Sequence, residues 1–176
     1  MSGFLLAPLF RSAFRILILC TIAAATLEAS EHPAAVKAAR VLVLKHQHTL
    51  QLLRGGRVLK EYKVALGGSP VGPKTQQGDH KTPEGVYVLD SRNPQSQFYK
   101  SLHISYPTAV QRTAGRKRGV SPGGDVFVHG LPHAYRAIGA AHRLHDWTDG
   151  CIAVTDEEMD ELWLAIPTGT PIEIRP

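Results

Sequence analysis

The chain has 176 residues, with 20 lysines and arginines against 15 aspartates and glutamates and a formal net charge of +5. This length favours one domain that buries its own hydrophobic core. The basic balance is compatible with an anionic polymer or a membrane surface as partner. No nucleic-acid recognition motif accompanies the charge, which argues against a nucleic-acid partner.

Residues 1–29 have the pattern of a secretory signal peptide. Arg11 and Arg15 precede a short apolar run at residues 16–26 that is rich in small residues at its end. The run is shorter than the ~20 residues that span a bilayer, and an uncleaved N-terminal anchor is the alternative. Both interpretations predict an exported protein of the periplasm or cell envelope, with membrane contact only through this segment.

The first half of the exported part is predicted to be mostly β-strands. A Gly55-Gly56 turn between two strand-like runs predicts a β-hairpin. Residues 67–85 are rich in Gly, Pro, Lys and Gln, and their length is typical of a functional loop. Alternating or apolar strand patterns occur at residues 41–44, 48–53, 58–64, 85–89 and 102–106.

The second half adds strands at residues 125–129, 152–154 and 171–175, with short helices predicted within 108–124 and at 134–145. The segment from Thr155 to Glu158 is a capping box that begins a helix running to Ile166. Its apolar stripe is predicted to face the core and consists of Met159, Leu162, Trp163 and Ile166. The pattern predicts a mainly β domain with an α-helix before the last strand.

Cys151 is the residue that points most directly to chemistry. The other cysteine, Cys20, lies in the predicted signal, so an exported protein keeps one thiol without a disulfide partner. An unpaired cysteine in such a protein is either an intermolecular bridge or a reactive thiol. A nucleophilic thiol needs a base, and His129, at the end of an apolar strand, is the candidate.

Two glycines flank this pair. Gly130 leaves room beside the His129 ring, and a nearby backbone carbonyl is expected to orient the second ring nitrogen. The amides of Gly150 and Cys151 are candidate donors to a developing oxyanion. Taken singly, a lone cysteine is usually an inert small hydrophobe, and a histidine at a strand end is often a hydrogen-bonded surface residue.

The surrounding segments favour the chemical interpretation. Residues 126–130, Val-Phe-Val-His-Gly, and 146–154, Asp-Trp-Thr-Asp-Gly-Cys-Ile-Ala-Val, resemble the active-site signature of the L,D-transpeptidase (YkuD-type) family. Residues 78–87, with Thr82-Pro83-Glu84-Gly85, resemble the Thr-Pro-x-Gly segment of that family. The likeness extends over residues 39–176, predicted to be the catalytic domain.

The resemblance implies a β-sandwich-like domain of mixed sheets. It implies that Cys151 attacks a peptide carbonyl of a peptidoglycan stem, that His129 transfers the protons, and that the backbone of Gly130 orients His129. An acyl-enzyme forms and is resolved by an amine or by water. Neither a metal nor an organic cofactor is implied.

Two residues depart from the commoner signature of the family. Asp149 stands where a histidine usually precedes the Gly-Cys pair, and Ala153 stands where an arginine often follows. A carboxylate beside the thiol disfavours its ionised form. This variant resembles a branch with hydrolytic members, so an L,D-carboxypeptidase or an amidase that releases a wall-linked lipoprotein remains an alternative to cross-linking.

Five residues are candidates for substrate binding, namely Trp147, Thr148, Asp149, Tyr106 and Lys81. Tyr106 and Trp147 are equally compatible with the core. A zinc site from His142, His145 and Asp146 is a further alternative, although its pattern is loose. A papain-like protease is disfavoured because its histidine follows its cysteine. A wall-binding module without catalysis is the non-enzymatic alternative.

Overall fold

The computed structural model describes residues 36–176, so the predicted signal or anchor at residues 1–29 lies outside the described residues, as does Cys20. Within the described part, no helix is long and apolar enough to cross a membrane. The strands are β1 (Arg40–Leu44), β2 (Thr49–Arg54), β3 (Arg57–Lys63), β4 (Gly85–Ser96), β5 (Tyr99–Ile104), β6 (Val126–His129), β7 (Ile152–Ala153) and β8 (Thr170–Arg175), and the α-helices are α1 (Ala109–Arg118) and α2 (Asp156–Ala165).

The eight strands form one mixed sheet in the order β3-β2-β1-β8-β4-β5-β6-β7. β1 runs parallel to β8 and β6 runs parallel to β7, whereas the other neighbours are antiparallel. Beyond β3, Ala65 bridges Ala153 and Gly67 bridges Thr148. The sheet therefore curls until its two ends meet. The predicted mainly β architecture is confirmed, with its layers formed by a single curled sheet.

The core lies inside this curl and receives apolar side chains from most of the strands and from α2. Alternation along a strand decides which residues enter it. In β6, Val126 and Val128 are buried in the core, which places Phe127 and His129 on the other face. That second face of β6 carries the candidate site.

The helix predicted near the C-terminus is confirmed as α2. Thr155 and Glu158 form the reciprocal capping box, and the predicted stripe packs inward, with Met159, Leu162 and Ile166 at most 1% exposed. Trp163 is partly buried and lies under the guanidinium of Arg92, 3.9 Å from the ring centre.

Two segments differ from the sequence-based expectation. Residues His133–Leu144 form 3-10 turns interrupted at Gly139, whose φ of 46° and ψ of −130° are not helical. Pro132 provides no side-chain cap for a longer helix. β4 continues to Ser96, past the predicted end at Leu89, so that β4 and β5 form a long polar hairpin. Residues 90–96 lack an apolar alternation that would predict this extension.

Candidate active site

Cys151 and His129 are brought together by the parallel pairing of β6 and β7. Val128 lies opposite Ile152 and His129 opposite Ala153, which puts Cys151 beside Phe127. Because side chains alternate along strands, Cys151, Phe127 and His129 share one face. Cys151 and His129 both line a cavity of about 470 Å³. The two residues that the sequence predicts to act together thus share one site.

The imidazole of His129 is buried and fixed in one orientation. Its Nδ1 donates to the carbonyl oxygen of Gly130 at 2.7 Å, which leaves Nε2 as an acceptor. The ring is 2% exposed and packs 4.5 Å from Phe98 and 5.8 Å from Trp147, between ring centres. Burial lowers the pKa of His129 to about 4, against the opposing effect of the Gly130 hydrogen bond. The ring is therefore a neutral base at pH 7.

Gly130 is required by the space available. A Cβ atom at this position would lie 2.6 Å from Oδ1 of Asp156 and 3.1 Å from Cβ of Tyr99. The same Asp156 oxygen accepts a hydrogen bond from the amide of Leu131 at 2.8 Å. The first residue of α2 therefore holds the chain directly after His129, and only glycine fits there.

The thiol of Cys151 is half-buried, with Sγ 3.7 Å from the carbonyl oxygen of Asp125. Burial raises the pKa of Cys151, and the charges of Asp149 and Asp125 raise it further. The amide of Phe127 and the ammonium of Lys74 act in the opposite direction. The resting site therefore holds a neutral thiol and a neutral imidazole in the same cavity.

The turn before Cys151 is held by its own hydrogen bonds. Oγ1 of Thr148 accepts from the amide of Gly150 at 3.1 Å and donates to the carbonyl of Cys151 at 2.8 Å. Gly150 has a φ of 128°, and a Cβ there would collide with the carbonyl oxygen of Lys81. The amide of Gly150, one of the two predicted oxyanion donors, is thus engaged within the turn itself.

Asp149 directs its carboxylate away from the thiol. Its side chain is 88% exposed, and Oδ1 lies 2.6 Å from Nδ1 of His80. The carbonyl of Asp149 points the other way and accepts a hydrogen bond from Nζ of Lys74 at 3.3 Å. The unusual residue of the signature thus sits at the solvent rim of the cavity.

The remaining predicted substrate contacts divide into two groups. Trp147, Thr148 and Asp149 line the cavity. Tyr106 does not, because its ring is 3% exposed in the core and its hydroxyl donates to the carbonyl of Pro122 at 2.8 Å. Lys81 is also outside the cavity wall, and its ammonium lies near Gly72 instead. Tyr106 therefore lies in the core, and Lys81 lies outside the wall of this cavity.

The sequence did not single out two residues of the site. Phe98 covers His129 from the tip of the β4–β5 hairpin, and no motif marks it. Lys74 is 6% exposed and reaches the cysteine turn from the 67–85 loop. Its position in the loop just before the Thr82-Pro83-Glu84-Gly85 segment was the only signal available.

Two of the residues considered for zinc have other partners. Nδ1 of His142 faces the indole nitrogen of Trp147 at 3.5 Å, and Asp146 binds the amide of Leu66 and the ring of His48. Among the residues that the structure describes, no group of three or more His, Cys, Asp or Glu could hold a metal ion.

A curled mixed sheet that presents a histidine at one strand end and a cysteine beside the neighbouring strand defines the L,D-transpeptidase type of catalytic domain. The family model for the YkuD L,D-transpeptidase catalytic domain matches residues 38–174. The chain belongs to this family.

Individual relatives agree with this assignment. A putative L,D-transpeptidase of Escherichia coli, YafK, is 29% identical over 129 residues, which is 70% of this chain and 45% of YafK. The helical cell shape determining protein Pgp2 of Campylobacter jejuni superposes with a TM-score of 0.61 at 25% identity, over 80% of this chain and 48% of that chain. Bd1075 of Bdellovibrio bacteriovorus superposes with a TM-score of 0.55 at 25% identity, over 80% of this chain and 49% of that chain. The chain spans about half the length of these relatives.

Proposed function

We propose that this chain is an exported, cysteine-dependent L,D-transpeptidase that acts on peptidoglycan stem peptides through an acyl-enzyme on Cys151. The observation that carries the proposal is the tautomer of His129. Its Nδ1–H is committed to Gly130, so Nε2 is free to accept a proton in the cavity that Cys151 also lines. Membership of a family that acts on peptidoglycan supports the substrate class and a location in the envelope.

In the proposed reaction, Nε2 of His129 takes the thiol proton as Sγ attacks the substrate carbonyl. A general base of this kind contributes ~10²–10⁴-fold to the rate. The Cys151 amide stabilises the oxyanion. The intermediate then collapses to a thioester as the leaving amine takes the proton from His129. An incoming amine repeats the steps in reverse and completes the transfer.

The cavity has the composition that a peptide segment needs. The hairpin tip contributes polar groups from Asn93, Ser96 and Gln97, and aromatic rings close the other walls. Amides and hydroxyls in such a wall can bind the backbone of an extended peptide. A volume of about 470 Å³ accommodates a few residues of a stem peptide.

Hydrolysis is the second candidate, and it rests on Ala153. This residue is fully buried in β7, where it pairs with His129 on one side and with Ala65 on the other. The position thus offers no cation to the carboxylate of an incoming acceptor stem. Without that contact, water competes better for the thioester, which favours an L,D-carboxypeptidase or an amidase that releases wall-linked lipoprotein.

Product analysis separates these outcomes. The protein is incubated with tetrapeptide muropeptides and, separately, with protein-linked muropeptides, and the products are identified by mass. Cross-linked dimers support transpeptidation, tripeptides alone indicate carboxypeptidase action, and freed protein ends indicate amidase action. Binding to sacculi without any product, equal in wild type and Cys151→Ala, would replace the proposal with a wall-binding module.

A further inference from the structure

Lys74 is a buried lysine whose ammonium group lies between the loop 67–85 and the cysteine turn. Its Nζ is 2.8 Å from Oδ1 of Asp79 and 3.3 Å from the carbonyl oxygen of Asp149, and the residue is 6% exposed. A buried charge needs hydrogen-bonded partners to be retained. Here one partner belongs to the loop and the other immediately precedes Gly150 and Cys151.

The aliphatic part of Lys74 also contacts both segments that frame the thiol. Its Cδ lies 3.6 Å from the place where a Cβ of Gly150 would stand, and its Cε lies 3.4 Å from that of Gly123. Gly123 precedes the Asp125 carbonyl that faces Sγ. The Lys74 side chain therefore packs under the turn that carries Cys151 and against the segment that precedes β6.

Asp79 keeps the ammonium group in place. Burial alone would raise its pKa, but Lys74 and the amides of Thr75, Gln76 and Lys81 outweigh burial and lower the pKa to about 2. Asp79 is thus an anion over the whole working range of pH. The four hydrogen bonds fix the Asp79 carboxylate within the loop. The carboxylate in turn holds the Lys74 ammonium group towards the cysteine turn.

We propose that Lys74 is a positioning residue for Cys151, which holds the Gly150–Cys151 backbone through the carbonyl of Asp149 and places a buried positive charge beside the thiol. The charge opposes the effects of burial and of Asp149 on the thiol pKa. The proposed role also explains how Asp149 is tolerated before Gly150. Its carbonyl binds Lys74, while its carboxylate turns outward to His80.

This role rests on the proposed function insofar as Cys151 is the nucleophile. Alkylation of the thiol by iodoacetamide requires no peptidoglycan, so it can be measured whether or not the proposed substrate is correct. The quantity compared is the pH midpoint of the alkylation rate of Cys151 in the full chain. Lys74→Met removes the charge and keeps most of the side-chain volume.

We expect Lys74→Met to raise the midpoint by half a unit to one unit, so that alkylation at pH 8 slows about three- to tenfold. Lys74→Arg should restore much of the wild-type rate. Asp79→Asn should lower the midpoint, because it keeps the ammonium group and removes its counter-charge. A residue that served only as a tether would give the same direction of change in Lys74→Met and Asp79→Asn.

Lys45 provides a matched control. It is also buried, at 3% exposure, and it binds the same loop through Glu84 at 2.8 Å and the carbonyl of Gly72 at 2.7 Å. Lys45→Met should lower thermal stability without moving the alkylation midpoint. An unchanged midpoint in folded Lys74→Met, or an equal shift in Lys45→Met, would overturn the proposal. If Lys74→Met does not fold, the test rests on Asp79→Asn, and a raised alkylation midpoint in that variant would overturn the proposal.

Discussion

The imidazole of His129 donates its Nδ1–H to the carbonyl oxygen of Gly130, the next residue in the chain, across 2.7 Å. This local hydrogen bond fixes the tautomer of a ring that Phe98 and Trp147 enclose. Because the acceptor is a carbonyl and carries no charge, burial dominates and the pKa of His129 falls to about 4. The pair with Cys151 therefore starts neutral, and proton transfer accompanies attack on the substrate.

The first consequence concerns the pH dependence of turnover. The acid limb of kcat/KM reports the pKa of the base in the free enzyme, so we expect its midpoint near 4. A limb near 6.5, the value of an unperturbed histidine, would contradict the assigned environment. His142 has a pKa that burial lowers to about 4 as well. His142→Gln should leave the acid limb in place, which attributes that limb to His129.

The same pKa predicts how folding stability changes with pH. Between about 6.5 and 4 the unfolded chain binds a proton at His129 that the folded chain does not, so the free energy of unfolding falls as pH falls. A pKa shift from 6.5 to about 4 corresponds to ~3 kcal/mol of unfolding free energy. Urea unfolding of wild type and His129→Gln at pH 7 and pH 4.5 measures it. The variant should lose less stability on acidification, and equal losses would contradict the prediction.

Phe98 controls the environment of the base. Its ring lies 4.5 Å from that of His129, so Phe98→Ala should admit water and move the pKa of His129 from about 4 towards 6.5. Histidine ring protons followed by NMR across a pH titration give this value directly. Tyr135 lines the adjacent apolar cavity of about 380 Å³ and serves as control. Tyr135→Ala should leave the His129 titration unchanged.

Neighbouring glycines provide a matched test of the support behind the cysteine turn. A Cβ at Gly67 would collide with the carbonyl oxygen of His80 and lie 3.1 Å from Cα of Gly150. We expect Gly67→Ala to cost roughly 1–3 kcal/mol of stability, as overpacking does, and to reduce turnover. At Gly68 the nearest atom is 3.7 Å away, so Gly68→Ala should change stability by less than about 0.5 kcal/mol. Equal melting temperatures for Gly67→Ala and Gly68→Ala would contradict this packing.

Local patterns were sufficient to predict much of the fold. The capping box at Thr155, the apolar stripe from Met159 to Ile166 and the Gly55-Gly56 hairpin are encoded by adjacent residues, and each occurs in the structure. Cys151 and His129 were recognisable because short motifs surround them. The sequence paired them through the need of a thiol for a base and through the resemblance, whereas the structure brings them together through the register of β6 and β7.

Residues whose roles depend on distant partners were not predictable. Lys74 is found by its contact with Asp149, 75 positions later, and Phe98, at the tip of the β4–β5 hairpin, by its contact with His129 in β6. Tyr106 was a candidate because an aromatic residue suits both a cleft and a core. Only the tertiary structure shows that Tyr106 lies in the core, where its hydroxyl donates to the carbonyl of Pro122.

The central claim is that Cys151 carries the acyl group. Wild-type protein is mixed with a tetrapeptide muropeptide, quenched rapidly in acid and analysed by mass spectrometry with proteolytic mapping. We expect a mass increase equal to the acyl fragment on the peptide that contains Cys151. Cys151→Ala should show no adduct and no turnover at an almost unchanged melting temperature. Turnover by Cys151→Ala, or turnover by wild type with an adduct on another residue, would contradict the account.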